Sequence, residues 1–251
     1  DRAAVRKNLF GATDLEAARK NPKAALNQLI ARFAHRAFRR PSTEMELAPY
    51  RKFAHAALAE SDSLEEALLA GYSGILCSPR FLTFIEEPGQ LDDHALASRL
   101  SYALWVSMPD AKLMQAASEG KLSNPKTLDA QISRMLADAK FERFINSFGD
   151  QWLNLKEIGF TNPDTRQFPR FDPVVQESML QETRSFLREL IQSDLGAAGL
   201  VDSDFAFLND RLARHYGVDA NLTPGQGLQK VSLQKNNVRG GLLTQGAILK
   251  V

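Results

Sequence analysis

Apolar residues recur at helical spacing along almost the whole chain, and most of these stretches begin with a helix-capping residue. Residues three or four positions apart lie on one face of a helix, so such a stripe predicts an amphipathic helix with one buried side. The first stripe follows the helix-starting pair Asn21-Pro22 and comprises Leu26, Leu29, Ile30, Phe33, Ala34 and Ala37. The sequence therefore predicts an all-α fold, an irregular bundle of many helices with at most a short β element near residues 228–233.

Capping signals place the other helix starts. Thr43 and Glu46 have the spacing of a capping box, in which each side chain accepts a hydrogen bond from the other residue's backbone N–H. Later helices begin after acidic or amide caps at Asp92 or Asp93, Asp110, Asn124 and Asp172. The last full helix is predicted over residues 205–216, and Gly217 supplies its C-terminal cap.

Turn-forming residues divide the chain into segments. The acidic stretch 86–89, which contains Pro and Gly, is the best internal boundary. It separates a predicted first helical domain, residues 25–87, from a second, residues 91–219, and residues 1–24 are predicted to form an N-terminal helical extension. From residue 220 the sequence becomes turn-rich, so residues 220–251 are predicted to be a further segment.

Charge balance and cysteine content exclude several classes of protein. The 31 Lys and Arg residues nearly cancel the 30 Asp and Glu residues, so a nucleic-acid partner is not expected. Cys77 has no partner for an internal disulfide or a cysteine-based metal site. No apolar run reaches the roughly 18 residues that span a bilayer. The chain opens without a secretory signal, so a removed signal and a start within a longer protein both fit.

The four histidines are His35, His55, His94 and His215. No two of them lie three or four residues apart, so no helix face offers a preformed histidine metal site, and no metal is expected. His215 differs from the others because it lies at the end of the last predicted helix, next to a loop. A helix C-terminus favours protonated imidazole, so a capping histidine and a ligand that faces a partner domain both stay open.

Candidate catalytic and binding residues are few. Paired carboxylates occur at Glu86 and Glu87, at Asp92 and Asp93, and at Asp202 and Asp204. Acid–base catalysis needs two carboxylates that face one cleft, which adjacent acids in linkers and caps do not indicate. No nucleophile elbow or nucleotide-binding loop occurs, so catalytic residues and enzymatic activity stay undetermined. Trp105, Trp152 and Tyr102 are candidates for a sugar-stacking platform, with core packing as the alternative.

Several blocks of sequence resemble domains that follow one another in planctomycete-type proteins. Residues 29–41 (LIARFAHRAFRRP) and 75–82 (ILCSPRFL) resemble one helical domain of unknown function. Residues 97–105 (ASRLSYALW), 148–153 (FGDQWL) and 207–217 (FLNDRLARHYG) resemble a second, which normally follows the first. The order of the blocks makes this resemblance more specific than any single motif.

A last block, residues 239–246 (RGGLLTQG), resembles the opening of a planctomycete cytochrome c-like domain. The resemblance implies that residues 220–251 are the truncated start of that domain, which continues in the family to a Cys-x-x-Cys-His haem attachment segment. It therefore implies haem c in the full-length protein, no cofactor within this chain, and the missing C-terminal cytochrome-like domain as a partner. A periplasmic or otherwise exported location is also implied.

The same resemblance suggests a surface that faces the haem. A haem c that takes one histidine from its own motif has a second axial position. His215 and Tyr216 lie shortly before the cytochrome-like block, so the predicted haem-proximal residues are His215, Tyr216, Asn209 and Arg239.

Three hypotheses for function follow. The favoured one is a helical scaffold module of an exported protein that carries a c-type cytochrome and supports electron transfer or oxidative chemistry with a redox partner. The alternative is a module that binds polysaccharide or another protein through the tryptophan region. The third is a self-contained hydrolase that uses buried carboxylates.

Overall fold

The computed structural model describes residues 18, 20–86, 88–234 and 238–250, and these residues fall into two compact units. The first unit contains the described residues up to Tyr102 together with residues 107–130. The second contains residues 103–106 and the described residues from Gln131 onward. The predicted domain boundaries at residues 87 and 91 stay a prediction.

Helices dominate the described part of the chain. From residue 22 to residue 136 they are α1 (Pro22–Ala37), α2 (Glu44–Ser61), α3 (Leu64–Leu76), α4 (Pro79–Leu82), α5 (Asp93–Trp105), α6 (Ala111–Ser118) and α7 (Pro125–Leu136). From residue 142 onward they are α8 (Glu142–Trp152), α9 (Pro173–Gln192), α10 (Ala198–Val201), α11 (Asp210–Tyr216) and α12 (Gly246–Lys250). Short 3₁₀ helices occur at Ala139–Phe141, Leu155–Gly159 and Leu242–Thr244.

The prediction of a mostly α-helical chain is confirmed. Within the described residues the only sheet has two antiparallel strands, β1 (Phe205–Leu208) and β2 (Gln229–Ser232). Strand β2 lies where the short β element was expected. None of the helices in the described part of the chain is long and apolar enough to cross a membrane.

The predicted helix over residues 205–216 is wrong in its first turn. Phe205–Leu208 forms β1, which pairs with β2 in a register that places Phe205 opposite Ser232. Asn209 then starts α11, because its side-chain oxygen accepts a hydrogen bond from the Leu212 N–H at 2.8 Å. Aromatic residues favour a pleated, half-buried surface, and pairing with β2 decides the conformation of this segment.

The first unit is centred on α1, α2 and α3, whose apolar faces form one core. Both hydrogen bonds of the predicted capping box are present at the start of α2, at 2.7 Å from the Thr43 N–H to Glu46 and 3.3 Å in return. Arg39, just after α1, is buried and has a left-handed backbone with φ 60°. Its guanidinium donates to the carbonyl oxygens of Arg80 and Thr83, at 3.0 and 3.3 Å, so it fixes the loop after α4.

The second unit is built on α9, the longest helix in the described chain at 20 residues. Helices α8, α11 and α12 and strand β1 all contact α9. At the end of the chain, the Lys250 ammonium donates to the carbonyl oxygens of Ile158 and of Thr161, the latter at 2.6 Å. The segment 239–250 is therefore attached to the helical body of this unit.

Candidate functional site

A carboxylate lies on the buried face of α9. Glu182 is only 2 % exposed and shares this face with Met179 and Phe186. Burial disfavours a charged carboxylate and raises the pKa of Glu182 to about 7, although the Tyr216 hydrogen bond and the Arg239 charge act in the opposite direction. This acid therefore titrates near neutral pH, well above the ordinary range for glutamate.

The partner of this carboxylate is Tyr216, the last residue of α11. The Tyr216 hydroxyl donates to Glu182 Oε2 at 2.6 Å and accepts a hydrogen bond from the Gly246 N–H at 2.7 Å. A Cβ atom at Gly246 would lie 2.6 Å from that hydroxyl and 2.8 Å from Met179 Cε. The start of α12 can approach the phenol this closely because residue 246 has no side chain.

Arg239 covers the other side of the phenol. Its guanidinium carbon lies 3.5 Å from the centroid of the Tyr216 ring, and Nη1 donates to the Thr244 carbonyl oxygen at 2.6 Å. A cation over an aromatic face is attracted by the quadrupole of the ring. Glu182, Tyr216 and Arg239, called here the Glu182 cluster, thus join α9, the end of α11 and the segment that leads into α12.

His215 lies beside this cluster and is half-buried. Its ring meets the Phe171 ring edge to face at 6.1 Å between centroids, and no described residue forms a hydrogen bond with either ring nitrogen. Burial lowers the pKa of His215, the charges of Arg239 and Arg170 lower it further, and Asp172 opposes them. The neutral imidazole is therefore favoured, and the protonated capping histidine that the helix end suggests is not.

Asn209 has a different place from the other predicted haem-proximal residues. It caps the start of α11, whereas His215 and Tyr216 end this helix about 9 Å away at 1.5 Å per residue. Its side-chain amide nitrogen also donates to Ser178 Oγ at 2.8 Å, so the oxygen of Asn209 caps α11 and its nitrogen joins α11 to α9. The structure therefore brings Tyr216 and Arg239 together next to His215 and leaves Asn209 at the far end.

The three aromatic candidates do not form one platform. Trp105 has no exposed surface, and its indole N–H donates to the Met135 carbonyl oxygen at 3.0 Å. Trp152, at the end of α8, is 49 % exposed and packs against Phe148 at 5.2 Å between ring centroids. Tyr102 belongs to the first unit, where it contacts Phe84 edge to face at 5.2 Å. Of the two tryptophans, only Trp152 offers a ring to a ligand.

Comparison with protein families places most of these residues in one domain. The model of PSD4, described as a protein of unknown function (DUF1592), matches residues 91–218, which is more than half of the chain. The chain belongs to the PSD4 family. A second model, PSD5, also a protein of unknown function (DUF1595), matches residues 25–86, which confirms the prediction of two consecutive helical domains of unknown function. No curated protein and no solved structure matches the chain.

The PSD4 region contains Glu182, His215 and Tyr216, while Arg239 and Gly246 lie beyond its end at residue 218. The Glu182 cluster therefore joins the PSD4 region to the segment that follows it. The hydrogen bond from the Gly246 N–H to Tyr216 and the stacking of Arg239 on the same ring are the contacts that make this connection.

Glu182 is not among the candidate residues predicted from the sequence, although it is buried. A signal for its burial is present in the PSD4 sequence. Residues 179, 182, 186 and 190 follow one helical face, so position 182 lies in line with Met179, Phe186 and Leu190. A carboxylate on an apolar stripe predicts a partnered acid with a shifted pKa.

Among the carboxylates named as pairs in the sequence, Asp92, Asp93 and Glu86 have structural roles. Asp92 caps α5 through the Ala95 N–H at 2.8 Å and forms an ion pair with Arg40. Asp93 accepts a hydrogen bond from the Leu122 N–H at 2.7 Å. Asp202 and Asp204 are both exposed, Glu86 pairs with Arg99, and Glu87 lies outside the described residues.

Proposed function

We propose that this chain is the helical scaffold module of a larger exported protein and that its second unit holds a c-type cytochrome-like domain in place for electron transfer or oxidative chemistry. The observation that carries the proposal is the Glu182 cluster. It fixes the segment 239–250, the block that resembles the opening of such a domain, against the helical body. A scaffold for electron transfer needs a fixed connection of this kind, because a flexible tether leaves the distance between donor and acceptor undefined.

The position of His215 supports this proposal. It is adjacent in sequence to Tyr216, so the contacts that hold Tyr216 also hold the backbone of His215. Its pKa is lowered and no described residue hydrogen-bonds its ring, which leaves a neutral imidazole with an available nitrogen. Neutral imidazole is the form that binds a metal ion.

The residues of this chain fit one part of a haem c site and not another. Covalent attachment uses two cysteines, and the chain has Cys77 alone, so this chain does not attach the haem. His215 is the residue of this chain that would bind the haem iron, with Arg239 as a nearby positive charge. When bound, a c-type haem supplies one-electron transfer. The proposed task of this chain is to orient His215 and to exclude water on the Phe171 side of its ring.

Replacing His215 by alanine in the full-length protein tests this role. We expect the absorption spectrum to change from low spin to high spin and the reduction potential to shift by roughly 0.1 V, within the range of about 0.8 V that axial ligands span. A pyridine haemochrome assay on the natural protein comes first, since it establishes whether haem c is present.

His94→Ala is the matched control for this measurement. His94 is also half-buried and also has a lowered pKa, but it belongs to the first unit, so its removal is expected to leave spectrum and potential unchanged. An unchanged spectrum and potential in His215→Ala, or the absence of haem after expression with the attachment machinery, would exclude the proposed role.

A second candidate function, a module that binds polysaccharide or another protein, is favoured by the aromatic face of α8. Phe144, Phe148 and Trp152 follow one another at i, i+4 and i+8, with ring centroids 5.2 Å apart at each step. Phe148 is 40 % exposed and Trp152 is 49 % exposed. Exposed aromatic rings that form a row are typical of interaction surfaces.

Tryptophan fluorescence tests this second candidate directly. Trp105 is buried, so a ligand on α8 is expected to change the emission of Trp152 alone, and the variant Trp105→Phe is expected to keep the response. Titration of the intact chain with a panel of soluble polysaccharides is the measurement, and Trp152→Phe is the control in which the response disappears. Flat titrations across the panel would count against a polysaccharide ligand at this face.

A further inference from the structure

The first unit contains a pocket that none of the functions above uses. It has a volume of about 480 Å³ and lies between the start of α2, the loop after α4 and the start of α5. Its walls include Arg40, Glu46, Arg80, Ile85, Gln90 and Asp92. This volume is in the range of roughly 300–1,000 Å³ that small-molecule sites occupy.

The charged side chains in the wall neutralise one another. Arg40 contacts Asp92 at 2.6 Å, and Arg80 contacts Glu46 at 2.7 Å. The Thr43 N–H and the Arg80 charge hold the pKa of Glu46 below its ordinary value. The Ala95 N–H and Arg40 do the same for Asp92, so both acids are ionised at neutral pH.

The last acid of the wall is also paired. The Glu86 carboxylate receives hydrogen bonds from Arg99 Nε at 3.0 Å and from Arg99 Nη2 at 2.5 Å, which lowers the pKa of Glu86. Each carboxylate that faces the pocket therefore has its own arginine. An anionic or a cationic ligand would have to compete with an existing ion pair for its counter-charge.

The same pairs are well suited to hydroxyl groups. A guanidinium has five N–H donors and a carboxylate has about four acceptor positions, so each ion pair keeps unused donors and acceptors side by side. A hydroxyl group both donates and accepts, and it can bond to both members of such a pair. The exposed Gln90 amide adds a further donor and acceptor at the rim.

An apolar surface adjoins these polar groups. Ile85 and Ala95 belong to the pocket wall, and Phe84 lines a small neighbouring cavity that shares Arg40, Arg80 and Glu86 with it. The Phe84 ring is held in place by the edge of Tyr102 and by the Arg39 guanidinium, whose central carbon is 5.2 Å from its centroid. The C–H face of a sugar ring packs on apolar surfaces of this kind.

From these observations we infer that the pocket of the first unit binds a neutral saccharide. Each charge of the pocket wall is paired with an opposite charge, and these pairs present hydrogen-bond donors and acceptors beside an apolar wall. The inference is independent of the proposed cytochrome scaffold, because every residue that carries it belongs to the first unit. It also differs in location from the aromatic face of α8, which belongs to the second.

Ligand-observed NMR on the intact chain tests the inference. The probes are cellobiose and maltose as neutral saccharides, with glucuronate and glucosamine as charged counterparts. We expect saturation transfer to at least one neutral disaccharide and a weaker signal from both charged sugars. No transfer to either disaccharide, or a stronger signal from a charged sugar than from the neutral ones, would overturn the inference.

Two variants locate the bound sugar. Arg80→Met removes a charge-assisted donor from the wall and is expected to weaken binding about tenfold or more. Gln90→Ala changes an exposed rim residue and is expected to weaken binding severalfold without affecting the fold, which keeps the test decisive if Arg80→Met does not fold. Leu69→Ala, which changes an exposed residue of α3 outside the pocket wall, is the control and should leave the affinity unchanged. If Trp152→Ala abolishes binding while both pocket variants retain it, the sugar binds elsewhere.

Discussion

Replacing Glu182 by glutamine is expected to remove the loss of stability that ionisation of this acid causes in the second unit between about pH 5 and about pH 8. In the folded state the pKa of Glu182 is about 7, compared with an ordinary value of 4.5. Between these two values the Glu182 side chain binds more protons in the folded state than in the unfolded state, so its contribution to the free energy of unfolding falls as the pH rises. The difference in pKa corresponds to about 3 kcal/mol across this window.

Glutamine has the size of glutamate, can accept the Tyr216 hydrogen bond and does not ionise. We therefore expect Glu182→Gln to match the natural chain near pH 5 and to be more stable by about 2–3 kcal/mol near pH 8. Denaturant unfolding followed by tryptophan fluorescence measures this, since both tryptophans belong to the second unit. Tryptophan fluorescence therefore reports the unfolding of the second unit and not of the first. This distinction is needed because the two units need not unfold together.

Glu189→Gln is the matched control for this series. Glu189 is on the same helix, but it pairs with Lys230 near the surface, and its pKa is lowered by that contact. The Glu189 carboxylate loses its stabilising charge only below the ordinary pKa of glutamate. Glu189→Gln should therefore keep the fall in stability between about pH 5 and about pH 8. Parallel pH profiles for the natural chain and Glu182→Gln would show that Glu182 does not titrate in this window.

Trp105→Ala is expected to destabilise the second unit by about 3–5 kcal/mol. The indole has no exposed surface, and its removal would leave a large cavity and remove the hydrogen bond from the indole N–H to the Met135 carbonyl oxygen. The side chains of Lys140 and Arg134, at 4.3 and 5.2 Å from the ring centroid, would also lose their aromatic contact. Denaturant unfolding followed by the remaining Trp152 emission gives the free energy.

The control is Trp152→Ala, which removes an equally large side chain from a half-exposed position. We expect a loss of about 1 kcal/mol or less, because the site is open to solvent on one side. Similar losses in the two variants would contradict the assignment of Trp105 to the core and of Trp152 to the surface.

Helix starts are well predicted from this sequence because caps act over three or four residues. Asp172 accepts the Val175 N–H at 2.8 Å as its spacing predicts, and Gly217 ends α11 with φ 68°. Strand β1 is a different case. Its conformation depends on pairing with residues 229–232, more than 20 positions away, and local signals at Phe205 do not contain that information.

The candidate site was only partly accessible from sequence for the same reason. His215 and Tyr216 attract attention by their place at a helix end, whereas their relation to Arg239 depends on how the segment after β2 folds back. Asn209 is close to these residues in sequence and is therefore predicted to share their site. In the structure the seven-residue helix α11 separates Asn209 from His215 and Tyr216. The burial of Glu182 depends on the packing of α11 and α12 on α9, which local sequence signals do not contain.

The attachment of α12 has a consequence for the order in which this chain is made. The Lys250 ammonium binds carbonyl groups of Ile158 and Thr161, 92 and 89 positions earlier. Contacts over such separations form only after the whole intervening segment has been synthesised, and closing the loop costs entropy first. During translation, the contacts of Gly246 with Tyr216 and of Lys250 with Ile158 and Thr161 therefore form only after residues 246–250 have left the ribosome.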